Sequence, residues 1–208
     1  MITLKAIQNL ISKSSSSINH LLVSLNKTPE IKTSIIHELI NYQSSNDIPV
    51  LSIDLSNLDD SQVQKILEFV NENMSVQTRV SILGQWYNSD FVDIAKKMIN
   101  STEAFDQNFL NLLVKYDGQV EILSSIKVLI KKIALKKISL KELNLENVKE
   151  SIYSSYFITP DVIIQTGKPR FSGSFLWDSK SSCIYFTKKS WLEFSIDDIN
   201  KAKEFCEL

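Results

Sequence analysis

Two residues near the carboxyl-terminal end of the chain have the chemistry to hold phosphate. Arg170 and Ser172 lie in a turn that also contains Gly167, Pro169 and Gly173. A guanidinium presents a planar fork of N–H donors to phosphate oxygens, and a neighbouring hydroxyl adds one more donor. A loop arginine can equally pair with a surface carboxylate, so both readings stand at this point. Asn26 closes a short apolar run and reads first as a turn residue.

Other chemistries are excluded. His20 and His37 stand apart and Cys183 and Cys206 form no CxxC, so a zinc site with four closely spaced ligands is ruled out. Two isolated cysteines do not make a disulfide framework, and a reducing compartment is the default. Cys183 reads as a small apolar filler. The net charge is −1, without the basic excess of a nucleic-acid-binding protein. One basic run exists, Lys131, Lys132, Lys136 and Lys137. It reads as a solvated helix face, or as weak attraction to an anionic membrane at about 1 kcal/mol per residue.

The elements that must position these residues alternate. Strands are expected at His20–Leu25, Val50–Leu55, Thr78–Leu83, Phe109–Val114, Asp161–Ile164 and Ile184–Phe186, all short and apolar. Helical spacing runs over Ile2–Ile11, from Pro29 to Ile40, over Asp59–Asn71 with Asp60 or Ser61 as cap, over Ser89–Asn100, Gln119–Ile133 and Ile196–Phe205, and Leu143–Tyr156 holds one more short helix. The fold class is therefore α/β, a mostly parallel six-stranded sheet covered by helices. With 208 residues, 43% of them hydrophobic, the chain can build one real core. The expected division is an N-terminal helix or extension over 1–17 and one domain over 18–208. No apolar run reaches the roughly 20 residues that span a bilayer, so any membrane contact is expected to be peripheral. Ligands of open α/β sheets bind beyond the carboxyl ends of the strands. That directs attention to Ser24–Thr28, Asp54–Leu58, Gly84–Asn88, Lys115–Gln119 and Gln165–Ser174.

The last of these stretches carries a resemblance. Residues 160–177, PDVIIQTGKPRFSGSFLW, resemble the C-terminal signature of the cis-prenyltransferase (undecaprenyl and dehydrodolichyl diphosphate synthase) family, with one residue deleted near Gly167. Cys183–Thr187 is similar to the family's ELYFT strand, and Trp191, Glu193 and Phe194 to its WPDF. Upstream, Val80–Gly84, Leu112–Ile122 and His20–Val23 resemble further family strands in the right order. The resemblance implies the same fold. It also implies the joining of isopentenyl diphosphate to an allylic diphosphate with Mg²⁺, on a site built from an aspartate, two arginines, a serine and a further acid.

Several of those residues differ here. Ser24–Leu25–Asn26 stands where the family has its metal-binding turn, so Asn26 is the residue left there. Gln165 replaces the first arginine, Arg170 and Ser172 match the second arginine and the serine, Lys115 replaces an asparagine, and Cys183 replaces the strand's acid. The resemblance thus gives a residual diphosphate site of Arg170, Ser172, Gln165 and Asn26, with no catalytic and no metal-ligating residue. It also places Trp177, Cys183, Ile184, Tyr185, Phe186 and Trp191 at a subunit interface.

In these losses the chain is similar to the Nogo-B-receptor-type accessory subunit. It differs from that group in showing no N-terminal membrane segment and no Arg-x-Gly end. The implied function is a non-catalytic accessory subunit of a heteromeric polyprenyl (dehydrodolichyl) diphosphate synthase, making long-chain carriers of the dolichol type. Mg²⁺ would be held only by the catalytic partner, and isopentenyl or allylic diphosphate would be the ligand. The expected location is cytoplasmic, at most peripheral to the endoplasmic reticulum or cell membrane. The alternative is a divergent, active cis-prenyltransferase.

Overall fold

The computed structural model describes residues 4–12, 14–26, 28, 30–74 and 77–208. The expectations at Ile2 and Pro29 lie outside them. Six strands form one sheet: β1 (His20–Ser24), β2 (Val50–Asp54), β3 (Thr78–Leu83), β4 (Asn108–Leu113), β5 (Val162–Thr166) and β6 (Cys183–Thr187). Their order is β3-β4-β2-β1-β5-β6, and all five pairings are parallel. The helices are α1 (Leu4–Ile11), α2 (Ser34–Ser45), α3 (Asp60–Asn73), α4 (Val92–Thr102), α5 (Gly118–Ala134), α6 (Leu145–Ser151) and α7 (Ile196–Phe205).

Burial follows sheet position. Every residue of β1, β2 and β5 is buried, as parallel strands covered on both faces must be. The edge strand β6 has no fully buried residue. Alternate side chains sort onto the two faces. Leu21, Val23, Leu51, Ile53, Leu110, Leu112, Val162 and Ile164 enter one cluster, with α2, α3, α4 and α7. Leu22, Val50, Phe109 and Ile163 enter the other, with Tyr116, Phe157 and Phe175. Ile7 of α1 belongs to that second cluster, so the amino-terminal helix is docked on the domain it precedes.

Several boundaries move for local reasons. The cap of α3 is Asp59, whose carboxylate accepts from Gln62 N while the Gln62 side chain accepts from Asp59 N; neither Asp60 nor Ser61 takes that role. α2 begins at Ser34, later than expected. The short helix expected within Leu143–Tyr156 is α6, Leu145–Ser151, after which Ile152 is extended and a 3₁₀ turn follows over Tyr153–Tyr156. The two cysteines are bonded to each other: Cys183, at the start of β6, forms a disulfide with Cys206, just beyond α7. Separation in sequence concealed this pairing, which replaces the reading of Cys183 as an apolar filler. Trp191, expected at an interface, is fully buried in the chain's own core. Its backbone N–H donates to Asn26 Oδ1 and its indole N–H to Lys32 O. Among the described residues no helix is long and apolar enough to cross a membrane.

Candidate functional site

Parallel strands all end on the same side, so their following turns converge there. A pocket of about 600 Å³ lies at this end, between the turns after β1, β2, β4 and β5. Four of the five stretches singled out from the sequence contribute to it. The fifth, Gly84–Asn88, turns away, with Trp86 buried and its indole N–H bonded to Ile82 O. A hollow of about 800 Å³ at the opposite end of the sheet, beside Asn19 and Asp161, is larger. Among the described residues its one lysine is Lys149, which is already ion-paired to Asp178.

All four residues expected to hold diphosphate line the first pocket, but their availability differs. Arg170 and Lys168 are exposed on its rim, and neither has a carboxylate partner among the described residues. The surface-pair reading of Arg170 is thereby set aside. Ser172 is exposed beside them. Gln165 is buried and clamps the loop: its Oε1 accepts from Ser172 N and its Nε2 donates to Ser172 Oγ. This glutamine thus holds the loop that carries Arg170 and Ser172. Asn26 Oδ1 accepts from Thr166 Oγ1 and from Trp191 N, so its carbonyl is turned into the protein. Gly167, at φ +82°, lies so close to the Asn26 side chain that a Cβ would come within 2.9 Å of it.

The floor of the pocket is Asp54, which the sequence had shown only as a strand end. It is fully buried and pairs in register with Ser24 of β1. Ser24 Oγ donates to its Oδ2 at 2.9 Å, Ser174 Oγ donates to the same oxygen, and Ser56 N donates to Oδ1 at 2.9 Å. A buried carboxylate is tolerable only when its lone pairs are satisfied in this way. The chain of contacts continues from Ser174 Oγ to Ser172 Oγ at 2.7 Å and on to Gln165. One hydrogen-bonded row thus ties β1, β2, β5 and the loop after β5. Ser24, Ser52, Asp54, Asn111 and Gln165 are among the polar positions facing one side of the sheet, which the strand alternation shows without showing which of them become partners.

Lys115 points elsewhere. It bridges Asp60 at 2.8 Å and Ser89 Oγ at 2.8 Å, stitching the end of β4 to α3 and to the loop before α4. Tyr116 lines the pocket with its hydroxyl donating to Glu121, which also accepts from Ser154 N. Burial, then the Glu121 charge, pushes the Tyr116 hydroxyl far above the usual tyrosine range, and burial raises Glu121. Asp117 at the rim caps α5 by accepting from Gln119 N and Val120 N.

A magnesium ion needs oxygen ligands in near-octahedral array, usually one or two carboxylates with open lone pairs plus phosphate. Asp54 has both oxygens engaged and Asp117 is a helix cap. Among the described residues no group of three or more His, Cys, Asp or Glu side chains could hold a metal. The donor set therefore does not fit a resident Mg²⁺ as it is arranged.

Of the expected interface residues, Trp177, Cys183, Ile184 and Tyr185 are half-buried and Phe186 is exposed, on or near the edge strand. Tyr185 packs on Phe205 with ring centroids 5.5 Å apart.

Solved structures share this architecture. Lavandulyl diphosphate synthase from Lavandula x intermedia, in complex with dimethylallyl diphosphate, matches with a TM-score of 0.80 over 91% of this chain and 95% of its own, at 18% identity. A probable undecaprenyl diphosphate synthase from Campylobacter jejuni matches at 0.72 over 92% and 96%, also at 18%. The fold is thus that of the cis-prenyltransferases. The family described as "Putative undecaprenyl diphosphate synthase" matches residues 50–205, and this chain belongs to it. An isoprenyl transferase of Listeria monocytogenes (serotype 4b, strain F2365) is 31% identical over 137 residues, 64% of this chain and 54% of that protein. A tritrans,polycis-undecaprenyl-diphosphate synthase (geranylgeranyl-diphosphate specific) of Thermoplasma acidophilum is 35% identical over 103 residues, 49% of this chain and 40% of that protein. The chain spans about half the length of the curated relatives it matches.

Proposed function

We propose that the pocket binds the diphosphate end of an isoprenoid and that the chain serves cis-prenyl transfer, the condensation of isopentenyl diphosphate with an allylic diphosphate. The observation that carries this is the rim: Arg170 and Lys168, free of carboxylates, beside Ser172 on a loop held from below by Gln165 and Ser174. Two arrangements would use such a site. The relatives, named as isoprenyl transferases, favour turnover by this chain itself as a divergent enzyme. A specific feature favours the second, an accessory subunit of a heteromeric synthase. Asp54 is locked by two hydroxyls and an amide, and Gln165 stands where an arginine would meet ligand. In that arrangement the catalytic partner brings Mg²⁺, the edge around Ile184–Phe186 supplies contact, and the product is a long polyprenyl diphosphate of the dolichol-carrier kind.

The test has two stages. Binding of farnesyl diphosphate to the purified chain is measured by calorimetry, for the wild type and for Arg170→Ala. Loss of one charge-assisted hydrogen bond, about 1.5–3 kcal/mol, should weaken binding roughly ten- to hundredfold. Equal affinity of the two proteins would remove the proposed site. Isopentenyl transfer with Mg²⁺ is then assayed for the chain alone and with a co-purified prenyltransferase. Activity alone supports the divergent enzyme; activity only in the mixture, lost with Tyr185→Asp, supports the accessory subunit.

A further inference from the structure

α7 is fastened to the sheet by different means at its two ends. At its start, the buried Asp198 takes Lys189 Nζ at 2.8 Å and also accepts from Ser195 N within a capping box. The middle of the helix is held by Ile199 and Ala202, both fully buried in the core. Beyond Ala202 no residue is buried, and Phe205 is 63% exposed. The ties there are the Tyr185 ring against Phe205 and the Cys183–Cys206 bond, with Cys206 packed at the margin of the core. Both cysteines are half-buried, one at the start of an edge strand and one just past a helix end. Such a place can open while most of the fold stays closed. The bond lies on the α7 face of β6, and Ile184 packs into the cluster on the other face.

The start of α7 reaches the candidate site through one residue. Lys189 gives its ammonium to Asp198, and its backbone carbonyl accepts from Gly167 N at 2.8 Å. Gly167 opens the loop that carries Lys168, Arg170 and Ser172. Two residues further on, Trp191 N donates to Asn26 Oδ1 in the turn after β1. Residues 187–191 are therefore a splint between α7 and two of the turns that line the pocket.

We propose that the Cys183–Cys206 bond is a site of thiol–disulfide exchange with a protein dithiol, and that opening it loosens α7 and, through Lys189, the Arg170 loop. In the exchange a thiolate of the dithiol attacks one of the two sulfurs, and the Cys183–Cys206 bond breaks as a mixed disulfide forms. The second thiolate of the dithiol then attacks that mixed disulfide. Two electrons and two protons pass to the pair, which ends as two thiols, and the dithiol ends as a disulfide. A bond that only staples the fold would open only when the chain unfolds. The loosening is a property of the fold alone, and its effect on a ligand rests on the diphosphate reading above.

The experiment treats the full chain with dithiothreitol at neutral pH without denaturant. Two thiols should become titratable while circular dichroism is kept. Hydrogen exchange of the two forms is then compared by mass spectrometry. Reduction should speed exchange over 197–208 and over 167–173 and leave β2 and β4 unchanged. Cys183→Ser with Cys206→Ser should exchange like the reduced form, with or without dithiothreitol. Coupling between sites is commonly at least about fivefold, so the reduced chain should bind farnesyl diphosphate at least that much more weakly. A bond that resists dithiothreitol until urea unfolds the chain overturns the proposal. So does unchanged exchange over 167–173 after reduction, or equal affinity of two forms that both bind. If neither form binds farnesyl diphosphate, the diphosphate reading fails, and the exchange result alone decides whether reduction loosens the loop.

Discussion

His20 makes the stability of this fold depend on pH in a calculable way. The ring is fully buried at the start of β1. Its Nδ1 lies 2.6 Å from Ile158 O and can only donate there, so Nε2 accepts, from Ser52 Oγ at 2.7 Å, and Ser52 Oγ in turn accepts from Asn111 Nδ2. The edge of the ring meets Phe175. Burial, the largest cause, and the Lys149 charge lower its pKa to about 4 against the Ile158 carbonyl, which raises it. The unfolded chain binds this proton near pH 6.5, whereas the folded chain does so only near 4. Stability is thus fully present above pH 6.5 and is lost as pH falls from 6.5 to 4. The gap, at about 1.4 kcal/mol per pH unit, comes to about 3 kcal/mol, with a slope of about 1.2 kcal/mol per unit near pH 5. Urea unfolding followed by circular dichroism between pH 7 and 5 measures that slope. The comparison is with His20→Gln, which retains the Asp161 carboxylate that accepts from His20 N. The wild type should take up about one more proton on unfolding than the variant. Parallel slopes for the two proteins would refute the reasoning.

Two further outcomes follow from the same coordinates. The Cys183–Cys206 bond closes a segment of 23 residues, which by loop entropy stabilises the oxidised fold by about 3 kcal/mol; Cys206→Ser should unfold at lower urea by that amount, as should the wild type with reductant, and an oxidised protein with two titratable thiols would contradict the bond. Gly84→Ala should cost at least about 2 kcal/mol, since φ is +116° and the new Cβ would sit 2.0 Å from Val114 O; an unchanged urea midpoint would mean that this turn can rearrange.

What could be seen in the sequence was whatever lies along the chain. The strands were legible because a buried parallel strand is a short apolar run, and β3 was found to the residue. The loop after β5 could be singled out because Arg170 and Ser172 are two residues apart. The floor of the site was not, because Ser24 and Asp54 are 30 residues apart and become partners only through the β1–β2 register, while Ser174 reaches Asp54 from 120 residues away. The same limit concealed the role of Trp191. Its aromatic type suits an interface equally well, and only the Asn26 and Lys32 carbonyls that accept its two N–H groups turn it inward.

These cross-strand contacts change what the missing family residues mean. Taken one position at a time, the loss of an aspartate at Ser24 and of an arginine at Gln165 leaves gaps in a site. In the folded chain neither position is a gap. Ser24 donates to a carboxylate supplied by the next strand, and Gln165 holds the backbone and hydroxyl of Ser172. Each replacement completes a hydrogen bond that the family residue would instead direct at a ligand. The row from Ser24 through Asp54, Ser174 and Ser172 to Gln165 is closed on itself, and a closed row of this kind holds its loop more firmly than it binds anything new. On the proposed reading, affinity for diphosphate would rest on Arg170 and Lys168 at the rim. That is why Arg170→Ala, and not a change at Asn26 or Gln165, is the substitution that decides whether the pocket still binds.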